Sequence, residues 1–400
     1  MLSTRFCFKA LMILNCSMIV FSCNHTTSSG NETKATDTTA VKVTIPATGS
    51  ADAEVIESTP KTIQLNDMAR LIAGLPVDST SKYYKYTQMP AWKKYEADSK
   101  ALWDKFGTMA AKITEWKNKE IPAVNDTIQT LYYPFSGPDY LFANLFFPNA
   151  KNYILLGLES PGNVPVLKVS NNDDLKKLLD LYKVAIEDVV QLSFFRTNDM
   201  KVDLNSQVID GTAPILMLFL ARSGKEILDV TPMKLTMQGK LTPFETDSTE
   251  KADAVEVSFR NPKENIMRRI IYLSTNVADP TLSKNTPFMK FFDNLDSGNY
   301  TFIKSATYLM HKKYFSIIRN SVLNKSKVIL QDASGIAFKF YDPAKWDISL
   351  YGTYEKPIDL FKDFYEPDLE AAFQKSSKPI GFRYGYNKKS SLLFAKLKTH

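Results

Sequence analysis

Three places in this chain set side chains with chemical potential close together. Ser136-Gly-Pro-Asp139 carries a hydroxyl and a carboxylate on a turn between a short aromatic strand (131–135) and a helix-like stretch (139–147). A glycine-containing strand-to-helix turn can offer backbone amides to an anion, with Ser136 and Asp139 beside it. The same Ser-x-x-Asp spacing is that of a helix cap, and capping by itself accounts for it. Glu159 ends the apolar run 152–158 and would supply a second carboxylate across a cleft, as general acid–base chemistry requires, although a solvated loop residue fits equally well. Lys304-Ser305 precedes Tyr308 and His311, and a serine can be activated by a lysine or a histidine. The order Lys-Ser lacks the Ser-x-x-Lys spacing that would set both on one helical face. Ser305 therefore reads as the N-cap of a helix over 306–323, and His311 as a polar position on it beside Tyr314 and Ile318. Asp332 reads as a turn residue.

Scarcity excludes more than these places suggest. The chain has three cysteines, Cys7, Cys16 and Cys23, all near its start, and three histidines, His25, His311 and His400. Once the segment before Cys23 is removed, no internal disulfide, cysteine-rich zinc site or cysteine nucleophile can be built in the body. One histidine inside the fold cannot make a His-rich catalytic zinc centre, and Ser-His-Asp chemistry survives only with His311 as its base. The sequence asks for no metal and no cofactor.

The start of the chain speaks of a compartment. Arg5 and Lys9 precede the apolar run 10–21 (ALMILNCSMIVF), which is too short to span a bilayer and reads as a signal peptide over residues 1–22. Val20-Phe21-Ser22-Cys23 resembles the bacterial lipobox, in which the cysteine is acylated, with palmitate among its acyl groups, and becomes the new N-terminus. Several acyl chains on Cys23 make a stable anchor. Residues 23–58 are rich in Thr, Ser, Ala, Asn and Asp and carry no aromatic side chain, which predicts a flexible tether. Removing residues 1–22 lowers the net charge from +7 to +5, too weak over the remaining body to argue for nucleic acid.

The elements that must position the candidates follow from periodicity. Of the 400 residues, 44% are hydrophobic and 12% aromatic, enough for a single globular body over residues 59–400. Trp92, Tyr95, Ser99, Leu102, Phe106, Met109, Ile113 and Trp116 form one stripe on a long helix from Pro90 to Ile121 near the N-terminal end of the body. Ser170 is expected to cap a helix lined by Leu175, Leu178, Leu179, Tyr182, Ile186, Val189 and Val190, with Asp173 reaching back. Residues 212–222 read as an interior helix. Alternation at 255–260, with 227–237 before and 270–273 after, predicts an antiparallel meander. Helices are expected at 287–295 and 367–375, a hairpin at 328–340 around Asp332-Ala-Ser-Gly335, and closing strands at 382–386 and 392–395. The fold class is α+β, a mixed, mainly antiparallel sheet covered by several helices, with that one long N-terminal helix.

The segment 131–165, LYYPFSGPDYLFANLFFPNAKNYILLGLESPGNVP, resembles a family of uncharacterised bacterial secreted proteins and lipoproteins with comparable YPFSGPD, FFPNA and GLE pieces. Phe302-Ile-Lys-Ser-Ala-Thr-Tyr308 and Ile329-Leu-Gln-Asp-Ala-Ser-Gly335 fit the same pattern. The resemblance implies a shared fold and an envelope setting, and no activity. Clear targeting signals beside weak catalytic ones lead to one expectation: a membrane-anchored envelope lipoprotein, at the outer membrane facing the periplasm, acting as a non-catalytic binding or assembly factor for an envelope protein or glycan. The alternative is a hydrolase of an envelope polymer or ester, working through Ser136 or through Asp139 and Glu159. Oligomeric state is left open.

Overall fold

The computed structural model describes residues 59–192, 209–244, 250–295, 298–385 and 389–398. The expected signal peptide, Cys23 and tether lie outside them. Within them the strands are β1 (Thr130–Tyr133), β2 (Asn152–Gly157), β3 (Glu226–Leu235), β4 (Leu241–Pro243), β5 (Ala254–Arg260), β6 (Met267–Ser274), β7 (Asn299–Ile303), β8 (Ser326–Gln331), β9 (Trp346–Gly352) and β10 (Ser391–Leu397). They form one sheet in the order β4-β3-β5-β6-β2-β1-β7-β8-β10-β9. The longer helices are α1 (Pro60–Ile72), α2 (Pro90–Glu120), α3 (Tyr140–Phe146), α4 (Asn172–Leu192), α5 (Ala213–Arg222), α6 (Thr286–Asn294), α7 (Ser316–Lys325) and α8 (Pro367–Ser376). The fold is α+β, with a mixed, mainly antiparallel sheet.

Its two flanks are antiparallel, β4-β3-β5-β6 on one side and β8-β10-β9 on the other. The five strands between, β6-β2-β1-β7-β8, run parallel. Parallel strands need both faces covered, and the side chains obey the period of two. Leu131, Tyr133, Tyr153 and Leu155 join one core with α1 to α5, whereas Tyr132, Ile154 and Leu156 join a second with α6, α7 and α8. Along α2, Trp92, Tyr95, Ser99, Phe106, Ile113 and Trp116 are buried, so its stripe packs within the chain.

Four local expectations are corrected. Residues 328–340 are not a hairpin: β8 pairs with β7 and β10, and the Gln331 amide replaces the second strand by donating to the Ile336 carbonyl at 2.8 Å and accepting the Ile336 N–H at 2.9 Å. The helix expected over 306–323 begins only at Ser316, where Asp279 accepts from the Ser316 N–H and hydroxyl and from the Ile317 N–H. Residues before it form two short 3₁₀ turns. In α4 the cap is one residue later than expected, with Asn171 Oδ1 accepting from the Asp173 and Asp174 amides and Asp174 reaching back to the Ser170 N–H. Residues 382–384 form no ladder: Ser390 Oγ donates to the Phe382 carbonyl and accepts the Tyr384 N–H instead.

Candidate functional site

The candidates gather at one edge of the sheet. β1, β2, β7 and β8 all end there, delivering residues 135–139, 158–159, 304–308 and 332–335 in turn. The connection from β1 passes through α3 on one face and that from β7 through α7 on the other. Between β1 and β7 the chain therefore departs in opposite directions, the place where open α/β sheets form a crevice. Among the described residues, the non-glycine residues at positive φ are Phe135 (60°), Ser305 (56°), Thr307 (51°) and Tyr308 (59°), all in the two loops that flank this crevice. Each such conformation costs on the order of 1–3 kcal/mol and persists only where surrounding contacts impose it.

The crevice is filled by an ion pair. Lys304 Nζ lies 2.6 Å from Asp139 Oδ2, and both side chains are 2% exposed. The approach is off the line of an aligned hydrogen bond, so the contact is electrostatic first. Asp139 also accepts from the Tyr133 hydroxyl at Oδ2 (2.9 Å) and from the Phe142 N–H at Oδ1 (3.1 Å), the second bond capping α3. The Lys304 ammonium stands 3.4 Å from the centre of the Phe142 ring. Burial pushes the Asp139 carboxyl upward against the opposing pull of Lys304, and pushes Lys304 downward against Asp139. Burial also holds Tyr133 as a phenol, so its O–H remains a donor. Asp332 closes the far side, accepting from the Ser305 N–H at Oδ2 and from the Ser334 N–H and hydroxyl at Oδ1.

Ser136 is buried, and its hydroxyl is engaged twice by one residue, accepting the Leu156 N–H at 3.0 Å and donating to the Leu156 carbonyl at 3.1 Å. It extends the ladder onto β2 and does not cap α3; Asp139 does. Glu159 is buried in a separate contact, accepting from the Tyr272 hydroxyl and the Leu158 N–H. Gly157 lets these pieces meet, since a Cβ there would stand 2.5 Å from both Glu159 Oε2 and the Tyr272 oxygen. Ser305 does not act as a cap: its Oγ is buried without a hydrogen-bond partner among the described residues. His311 sits in a 3₁₀ turn, not on an amphipathic helix, with its ring against Tyr308 and Phe364 and Nε2 3.9 Å from Glu366 Oε1. Burial lowers it to about 4, so the ring is neutral at pH 7.

Sequence reasoning missed Lys304 as the partner of Asp139, and missed Tyr133 and Glu366. The signal for Lys304 was a lone charge directly after the strand Asn299–Ile303, buried at every position. Among the described residues no group of three or more His, Cys, Asp or Glu is placed to hold a metal ion, and no helix is long and apolar enough to cross a membrane. A surface groove of about 430 Å³ beside Val77, Tyr84 and Trp92, and a cavity of about 150 Å³ beside Asp253, Ser274 and Phe288, are lined by none of the crevice residues. Compared with known proteins, the chain matches no family model and no curated protein.

Proposed function

We propose that this chain is a membrane-anchored bacterial envelope lipoprotein whose body acts as a non-catalytic binding or assembly factor. One observation supports the non-catalytic half: the groups that would do hydrolysis are already committed inside the protein. A serine nucleophile needs a free hydroxyl beside a base, and both hydrogen-bonding roles of Ser136 are taken by Leu156. A carboxylate pair for acid–base work must face a shared substrate space, and Asp139 and Glu159 are instead buried against Lys304 and Tyr272. The anchoring half draws its support from the basic n-region, the apolar run and the lipobox ending at Cys23.

Two measurements test the two halves. Cys23→Ala is expected to release the protein from membranes or block its maturation, read by fractionation; an unchanged membrane pool overturns the lipoprotein reading. Cross-linked pull-down of the lipidated protein from its own envelope is expected to recover a stoichiometric protein or glycan. Hydrolysis of an envelope ester or polymer that disappears with Ser136→Ala, in a variant that still folds, would establish the hydrolase instead.

A further inference from the structure

We propose that Lys304 and Asp139 are a self-processing pair that joins Nζ to Cγ in an intramolecular isopeptide bond, tying the carboxyl end of β7 to that of β1. The geometry has the parts such a step needs. The nucleophilic nitrogen lies 2.6 Å from one oxygen of the carboxyl group it would attack, held there by the fold at 2% exposure. Phe142 packs its ring face 3.4 Å from that nitrogen. Both carboxyl oxygens already accept from fixed donors, Tyr133 O–H and Phe142 N–H, and these are placed to hold the charge that develops on oxygen when the carbonyl carbon becomes tetrahedral. A second carboxylate, Asp332, is near enough for its charge to act on Lys304 and on Tyr133. Burial favours the neutral amine and the neutral acid over the ion pair, which are the reactive forms.

The step balances without an oxidant or cofactor. The ammonium gives one proton to Asp139 Oδ2 across the 2.6 Å contact, and the freed lone pair on Nζ forms the bond to Cγ. The tetrahedral centre collapses as one C–O bond breaks. The departing oxygen, already carrying the first proton, takes a second from nitrogen and leaves as water, while nitrogen keeps one hydrogen as the amide N–H. Exclusion of bulk water from the crevice opposes the reverse hydrolysis. The strained loops on either side, with Phe135, Ser305, Thr307 and Tyr308 at positive φ, are then clamped by a covalent tie as well as by packing. None of this depends on where the chain is anchored or on what it binds.

Intact-mass measurement of the purified full chain, denatured, tests the proposal. The expected mass is lighter than that of the processed sequence by one water molecule, and proteolysis is expected to release a branched peptide joining the segments around Asp139 and Lys304. Lys304→Arg and Asp139→Ala are each expected to restore the full mass. A wild-type chain at full mass, with residues 139 and 304 recovered in separate linear peptides, overturns the proposal whether or not the variants fold. A mass deficit that persists in either variant overturns it too, because the lost water then comes from elsewhere.

Discussion

Glu366 and His311 face each other at 3.9 Å under the rings of Tyr308 and Phe364, and their protonation is inverted by burial. The Glu366 carboxyl rises from 4.5 to about 7, and the His311 ring falls from 6.5 to about 4. Lys339 and Arg319 add their charge against protonation of His311, Lys339 favours ionised Glu366, and Asp368 opposes it. Between pH 4.5 and 6.5 the folded pair and the unfolded pair each bind one proton, on Glu366 when folded and on His311 when unfolded, so this pair leaves stability flat there. Above 6.5 the folded chain holds the proton the unfolded chain has lost, and stability falls as pH rises through about 7. Glu366→Gln keeps an acceptor for the Phe338 N–H and removes the buried charge. It is expected to match the wild type in urea melts at pH 4 and to exceed it by about 3 kcal/mol at pH 8.5; a constant difference at the two pH values would refute the inversion. At this scale the sequence disclosed a cap before α3 but set it at Ser136, where Asp139 does the capping, and hid the lysine that pairs with Asp139. A cap is written in neighbouring residues, whereas the lysine that neutralises it arrives from another strand far along the chain.

Among the helices, α4 was the most legible, because an apolar stripe and an adjacent polar cap coincide within one segment. Leu179 on that stripe is 1% exposed. Leu179→Ala is expected to cost about 2–5 kcal/mol through the cavity it leaves. Denaturant melting reads this, and a loss within experimental noise would mean that neighbouring side chains collapse to fill the space. Elements that failed to show in the sequence share a cause. Residues 306–315 have helical spacing, yet the Tyr308 N–H donates to the Ser334 carbonyl and three of the four residues 305–308 sit at positive φ, so a tertiary contact overrides the local preference. The Asp332-to-Gly335 turn looked like a hairpin because a side chain, that of Gln331, performs the job a second strand would have done. Even the meander at 226–274 was visible only as alternation. Nothing in its period says that β6 continues into a parallel centre through β2.

At the scale of the molecule, the sheet has two long flanks to protect. Among the described residues β3 meets β4 only over Met233–Leu235, with the Phe244 N–H donating to the Pro232 carbonyl, which leaves Glu226–Thr231 as an edge. α1 covers it with side chains: Asn66 donates to the Ile227 carbonyl at 2.8 Å and accepts the Ile227 N–H at 2.9 Å, while Lys61 pairs with Asp229. Uncovered edges template aggregation. Asn66→Ala is expected to cost about 1–3 kcal/mol by stranding both Ile227 groups, and to raise light scattering on mild heating; unchanged stability and scattering would show that water replaces the amide at no cost. On the other flank, the Lys378 N–H donates to the Leu350 carbonyl and its carbonyl accepts the Gly352 N–H, closing part of β9 in the same manner.

The place of β1 between β2 and β7 also sets an order of events in time. Its first neighbour follows within some twenty residues, whereas Tyr300, which pairs with Leu131, is made roughly 170 residues after Leu131. At ordinary synthesis rates that is a wait on the order of ten to thirty seconds. Throughout it the growing chain presents β1 with one side open and Asp139 without its lysine. Folding from the first residue to the last is closed to this topology. The centre of the sheet can be completed only after Tyr300 has emerged.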